Sequence, residues 1–257
     1  MKIHFHKYQA TGNDFVLIDN RTGTFSFSVK QIQKICDRRF GVGADGLILI
    51  EKDPTFDFNL NYYNSDGSQS LCGNGSRAGV VMAASLGLLN DKTKFNAYDG
   101  VHEAELLPTG IVRLKMNPVV EVKKIGSDFF INTGSPHHLR FVKNVKDYAV
   151  FEEGKKIRYS KEYDPQGANA NFIELEPNNT ISVRTYERGV EDETFSCGTG
   201  VTAAALASSY HGYKSPVQVN VMGGTLSVEF KSDPVSGFSQ IFLIGSAVLV
   251  FEGFIEI

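Results

Sequence analysis

The stretch SLCGNGSR, Ser70 to Arg77, returns in the second half of the chain as FSCGTGVT, Phe195 to Thr202. Each is a cysteine followed by Gly-x-Gly, and each runs into small and apolar residues at helical spacing. The spacing predicts helices over Gly75 to Leu89 and Gly200 to Tyr210. Aligning Cys72 with Cys197 also aligns their surroundings. A strand ends in a polar loop (NYYNSDGSQSL, then VRTYERGVEDETFS), and the turn, an alanine- and valine-rich helix and further strands follow. The two phrases lie about half a chain apart, so the simplest architecture is two similar α/β halves facing each other. Asn117-Pro118 is the expected hinge, because the residue before a proline is pushed towards extended geometry.

The remaining pattern is rich in strands. Alternation marks VLID near residue 16, GLILI at 46–50, FDFNLNYYN at 56–64, IVRLKM at 111–116, ISVRTY at 181–186, TLSVEF at 225–230 and the closing FIEI. Ile241 to Val250 reads as buried strand and is too short to span a bilayer. A third helix is predicted from Val29 to Arg39, opened by Ser28 with Gln31 three residues on.

The 257 residues suit one large or two small domains, and 42% hydrophobic with 21% charged residues is ordinary for a globular protein. A net charge of −3 with no basic run argues against a nucleic-acid partner. The start, MKIHFHKYQATGND, lacks the apolar core of a signal peptide, so a cytoplasmic, non-membrane protein is expected. Three widely spaced cysteines make no disulfide framework. Cys36 reads as a buried filler, whereas Cys72 and Cys197, heading the same turn, read as chemistry.

A glycine-rich turn feeding a helix leaves N–H groups unpaired at the positive end of the helix dipole, which suits a carboxylate or phosphate. A thiolate at the same end is stabilised by the same field. Two such ends facing each other would hold one carboxylate between two sulfurs. One sulfur would take a proton from the adjacent carbon and the other would return one to the opposite face. Three rival readings stay open. These are a racemase of the proline type, a hydrolase with Cys72 or Cys197 as nucleophile beside His137, and a non-catalytic anion-binding module. His4 and His6 read as solvent-facing or paired, and no metal site is expected.

From TGNDFVLID through RRFGVGADGLILI, FNLNYYNSDGSQSLCGNGSR, TGSPHHL, ANANFIEL and RTYERGVEDETFSCGTG to MGGTLSVEF and FEGFIEI, the chain resembles the diaminopimelate epimerases. The resemblance implies a cofactor-independent isomerase that interconverts LL- and meso-2,6-diaminopimelate in the supply of lysine and peptidoglycan precursors. It implies an α/β (α+β) fold of two pseudo-symmetric domains, each a mixed sheet rolled around a central helix, with the active site in the cleft between them. Residues 1–117 would form one domain and 118–248 the other, the final strand, 249–257, returning to the first.

By the same resemblance, Cys72 and Cys197 are the acid/base pair. Asn13 and Asn64 would contact the substrate, Gly73 and Asn74 would form the first carboxylate turn, and Gly198 and Thr199 the second. Asn169, Glu187 and Arg188 would recognise amino and carboxylate groups, and His137 would lie near the pair. Ser135 stands where many relatives carry asparagine, and Gly46 where some carry glutamine. No metal or cofactor is implied. The partner is the small-molecule substrate, and a homodimer is left open.

Overall fold

The computed structural model describes residues 1–257 and falls into two compact units. One comprises Met1–Leu114 with Gly245–Ile257, the other Lys115–Ile244. The first unit holds β1 (Lys2–Ala10), β2 (Asn13–Asp19), α1 (Val29–Cys36), β3 (Gly46–Glu51), β4 (Phe58–Asn64), α2 (Gly73–Ser85), β5 (Lys92–Ala97), β6 (Gly100–Leu106) and β7 (Ile111–Lys115). The second holds β8 (Val122–Ile125), β9 (Asp128–Asn132), β10 (Pro136–Phe141), α3 (Val150–Arg158), β11 (Asn169–Glu176), β12 (Thr180–Glu187), β13 (Asp192–Thr194), α4 (Gly198–Ser208), β14 (Val217–Val221), β15 (Gly224–Asp233) and β16 (Gly237–Ser246). The last strand, β17 (Val248–Glu256), belongs to the first unit.

Strand pairing is the same in both units. The first runs β17-β1-β2-β3-β4-β5-β6-β7, and its successive pairs are antiparallel, antiparallel, parallel, antiparallel, parallel, antiparallel and antiparallel. The second runs β8-β9-β10-β11-β12-β14-β15-β16 with that same series. The short β13 adds to the end of β12. The internal repeat therefore extends far beyond the cysteine phrases, and the C-terminal strand supplies in the first unit the edge that β8 supplies in the second.

Each parallel step is bridged by a helix, and the two helices of a unit differ in kind. The α2 and α4 helices lack a solvent-facing polar stripe, and every residue of α4 except Thr199 is buried. A helix with no face for solvent must be enclosed. Strands β1, β2, β3, β4 and β6 surround α2, and β9, β10, β11, β12, β14 and β15 surround α4. Small residues let the sheet close in. A Cβ on Gly79 would meet Leu60 Cδ1 at 2.4 Å, and Ala203 to Ala207 has only Leu206 as a large side chain. By contrast, α1 and α3 are amphipathic and cover the outside.

The middle strands are thus buried on both faces. On β3, Leu47 and Leu49 pack with Ile32, Ile35 and Cys36 of α1, while Ile48 and Ile50 meet the glycines of α2. On β11, Ala170 and Phe172 pack with Val150 and Ile157 of α3, leaving Asn169 and Asn171 on the other face, where Asn171 approaches α4. Full burial of each large apolar side chain contributes about 1.5–3 kcal/mol.

Four elements depart from the sequence reading. Both cysteine helices begin two residues early, at Gly73 and Gly198, which makes Cys72 and Cys197 themselves the N-caps. The α1 helix starts at Val29, with Gln31 Oε1 accepting from Ser28 N at 2.9 Å, yet stops at Cys36 rather than Arg39. Asp37 Oδ1 there accepts from the N–H of Arg39 and of Phe40, both at 2.7 Å, and this local turn outcompetes another helical one. Ile241 to Val250 is split at Ala247 between β16 and β17, and Val248, Leu249 and Val250 are exposed. No helix is long and apolar enough to cross a membrane.

Candidate active site

Cys72 caps α2 with extended backbone, and its Sγ accepts from Gly75 N at 3.4 Å. Its thiol donates to Asn13 Oδ1 at 3.6 Å, and the same oxygen accepts from Asn74 Nδ2 at 3.2 Å. Asn13 is oriented from behind, because its Nδ2 donates to Asp45 Oδ2 at 2.6 Å. Asp45 pairs with Arg38 at 2.7 Å, Arg38 with Asp14 at 2.6 Å, and Asp14 with Lys7 at 2.7 Å. Burial raises the Asp14 pKa, but hydrogen bonds from Arg38 and Lys7 outweigh it and hold the carboxyl well below the usual range. A chain of alternating charge thus fixes the amide that receives the thiol.

Asn64 closes the turn before the cysteine. Its Nδ2 donates to Ser68 Oγ at 3.0 Å and to Ser70 Oγ at 3.2 Å. Gly46 has no room for a side chain, since a Cβ there would lie 2.4 Å from the Tyr62 ring and 2.6 Å from Tyr63 O.

Cys197, buried, caps α4 in the same backbone conformation as Cys72 caps α2. Its Sγ lies 3.5 Å from Thr199 Oγ1, which lies 2.9 Å from His137 Nε2. Asn171 completes the row, with Nδ2 donating to His137 Nδ1 at 3.1 Å and to His138 O at 3.0 Å. A Cβ on Gly200 would come within 2.4 Å of Asn171 Oδ1 and 3.3 Å of His137 Cε1, so glycine there lets the helix end approach this row. Burial, helped by the Arg188 charge and opposed by the Asn171 bond, pulls the His137 pKa down to about 3. This imidazole is neutral at physiological pH, with Nδ1 already accepting from Asn171 and Nε2 facing Thr199.

A second group gathers on the neighbouring strand ends. His137 and Asn169 are register partners on β10 and β11. Asn169 Nδ2 donates to Ser135 Oγ at 2.9 Å and to Pro136 O at 3.1 Å, while its Oδ1 accepts from Arg188 N at 2.8 Å. Glu187 Oε2 accepts from Thr194 Oγ1 at 2.8 Å. The β12–β13 hairpin carrying Glu187 and Arg188 is braced where Arg184 Nη2 donates to Glu193 Oε2 at 2.6 Å.

Asn13, Asn74 and Cys72 therefore meet in one unit, with Asn64 in the adjoining turn. Asn169, Ser135 and Arg188 meet in the other, beside the row from Asn171 to Cys197. Sequence reading passed over Asp45, Arg38 and Asn171. The last was within reach, because ANANF on a strand puts Asn169 and Asn171 on one face. His138 points the other way and bonds Tyr163 Oη at 2.8 Å and Asp128 Oδ2 at 3.0 Å. His4 and His6 lie 3.6 and 3.3 Å from Glu252.

The family model described as diaminopimelate epimerase matches residues 5–122 and 129–250. The chain belongs to the diaminopimelate epimerase family. Among the relatives of that name, the protein from Flavobacterium psychrophilum is 50% identical over 251 residues, covering 96% of this chain and 98% of its own. The one from Chlorobaculum tepidum is 42% identical over 257 residues, covering 96% and 98%. Among solved structures, a PhzF-family phenazine biosynthesis protein from Bacillus anthracis superposes with a TM-score of 0.78 at 16% identity, covering all of both chains. A hydroxyproline epimerase from Agrobacterium vitis does so with a TM-score of 0.72 at 12% identity, covering 99% of this chain and 92% of that one. These two share the fold of the family member described here.

Proposed function

We propose that this family member interconverts LL- and meso-2,6-diaminopimelate without a cofactor, one cysteine acting as thiolate base and the other as thiol acid. The observation that carries this reading is the pair of cysteine N-caps, each at the same point of an identical pairing scheme. Inversion at carbon needs one base and one acid on opposite faces. Exchanging the protonation states of two like groups runs the reaction backwards, which is why a duplicated thiol suits it.

In that reading one sulfur takes the α-proton and the electron pair spreads into the adjoining carboxylate. The second sulfur then delivers its proton to the other face. The N–H groups of Gly73, Asn74, Gly198 and Thr199 head the two helices and suit the charge pushed into the carboxylate. General acid–base transfer supplies about 10²–10⁴-fold, so these donors and water exclusion carry the rest. Asn13 and Asn64 line the first cysteine's surroundings. Asn169, Glu187 and Arg188 offer amide, carboxylate and guanidinium groups for the amino and carboxylate groups of the substrate. Ser135 acts on Asn169, whose amide it accepts, rather than on the distal end directly. His137 supports Thr199.

A cytoplasmic location and a homodimer complete the proposal. The edge strand β17 pairs only with β1 within its unit and exposes Leu249, Phe251 and Phe254, which supports self-association and is checked by sedimentation equilibrium. Proton NMR of LL-diaminopimelate in D₂O with the reduced protein tests the activity, with proline as control. Loss of the α-proton signal with growth of the meso form is expected. Exchange on proline alone overturns the substrate, and exchange on neither overturns the chemistry.

A further inference from the structure

Strand β1 carries His4 and His6 on one face, because side chains two apart on a strand point the same way. In the antiparallel pair with β17, His6 stands opposite Glu252 and His4 opposite Phe254. Glu252 is thus the direct cross-strand neighbour of one imidazole and the diagonal neighbour of the other. Its Oε2 lies 3.3 Å from His6 Nε2 and 3.6 Å from His4 Nε2. The two ring centroids are 4.7 Å apart, and the three ligating atoms all lie within 4.8 Å of one another.

We infer that His4, His6 and Glu252 form a binding site for a divalent transition-metal ion of the zinc type, which clasps the C-terminal strand to the N-terminal one. The spacing supports it. Elsewhere in the chain a histidine facing a carboxylate closes to hydrogen-bond distance, 2.7 Å for His102 with Asp99 and 3.0 Å for His138 with Asp128. Here a single oxygen stands off from two nitrogens. Zinc binds histidine nitrogen and carboxylate oxygen at about 2.0–2.2 Å, so neighbouring ligands of a tetrahedral site lie about 3.3–3.6 Å apart. Both separations from Glu252 match that edge. A swing of the half-exposed His4 ring towards His6 closes the third, and water completes the coordination from the open side.

The surroundings suit a cation. The Glu252 and Asp19 charges both act on His6, and Lys2 keeps its Nζ over the Phe254 ring at 4.5 Å. Burial, and after it the neighbouring His4, nevertheless hold the His6 pKa below its ordinary value, which favours the uncharged ring that a metal takes. His6 is mostly buried and fixes one ligand, while His4 and Glu252 leave an entry path. The sequence showed two of these ligands side by side, and the third comes from the far end of the chain. Strand β17 rejoins its unit only after the chain has passed through the second one. The ion therefore closes a loop of nearly the whole chain, where a clasp constrains the unfolded state most.

None of the three residues belongs to the cysteine site, and the test reads binding rather than activity. It uses Cys72→Ala/Cys197→Ala protein, so that these thiols do not compete for zinc. Equilibrium dialysis is expected to find one Zn²⁺ per chain, and no Mg²⁺, which takes oxygen ligands. His6→Gln and Glu252→Gln are each expected to weaken zinc binding about a hundredfold or more. Zn²⁺ is expected to raise the melting temperature of the parent and not of those two variants. Absence of stoichiometric zinc, or binding that either folded variant keeps undiminished, overturns the inference. If His6→Gln does not fold, Glu252→Gln decides alone, because that side chain is 59% exposed.

Discussion

His137 Nε2 lies 2.9 Å from Thr199 Oγ1, and the direction of that bond is set from behind. Asn171 Nδ2 donates to His138 O, an acceptor only, so the amide orientation is determined, and it donates to His137 Nδ1 as well. The imidazole proton is therefore on Nε2 and goes to Thr199, whose own hydroxyl hydrogen is left for Cys197 Sγ at 3.5 Å. A row of neutral donors ends on the thiol that must become a thiolate whenever it gives up its proton.

Removing the last donor tests that row. Thr199→Val keeps the shape but not the hydroxyl, and kcat/KM for epimerisation is expected to fall about tenfold, the worth of one hydrogen bond to a charged group. Thr199→Ser restores most of it, and the melting temperature moves little. Steady-state rates for the three proteins decide the matter. Wild-type kinetics in Thr199→Val would show that Cys197 does not use the row.

His137 also makes stability depend on pH. Its folded pKa, about 3, lies below the ordinary value of 6.5. As pH falls below about 6.5 the unfolded chain takes up a proton that the folded protein refuses until about 3, so acidification favours unfolding. The contribution is complete above that window and is lost at up to about 1.4 kcal/mol per pH unit within it. Denaturant midpoints of His137→Gln are expected to fall less steeply than wild type between those limits. An equal slope would place the acid sensitivity elsewhere.

The repeat was legible because the residues that make it are local: a cysteine N-cap, two glycines and small helix residues in one phrase. The same holds for GLILI, where β-branched and leucine residues run unbroken because β3 is covered on both faces. What the sequence hid was either competition or distance. The end of α1 turned on the side chain of Asp37, one residue past the helix. Val248 to Val250 looked buried because an apolar run does not say which strands have neighbours on both sides. Asp45 and Arg38 stood in quoted motifs, but their link to Cys72 passes through Asn13, remote in sequence, and needs the β2–β3 pairing to form.

Gly46 gives a prediction about packing rather than chemistry. Side-chain atoms at this position would enter the space of the Tyr62 ring and a backbone carbonyl, neither of which yields cheaply. Overpacking of this kind costs about 1–3 kcal/mol. Gly46→Gln, although it restores the residue expected of some relatives, should lower the melting temperature by several degrees and leave distal recognition no better. An unchanged thermal midpoint would mean that β3 and β4 can shift apart.

The two cysteines make the sharpest prediction. If inversion needs a proton taken on one face and given on the other, either Cys72→Ala or Cys197→Ala stops it. Each single variant should lose about 10²–10⁴-fold or more in epimerisation, and the double variant little further, because the groups act as a unit. In D₂O each single variant can still exchange the α-proton on the face of its remaining cysteine without inverting the centre. NMR separates exchange from inversion in one experiment. Loss of activity on replacing only one of the two cysteines would instead fit a single nucleophile and count against the paired mechanism.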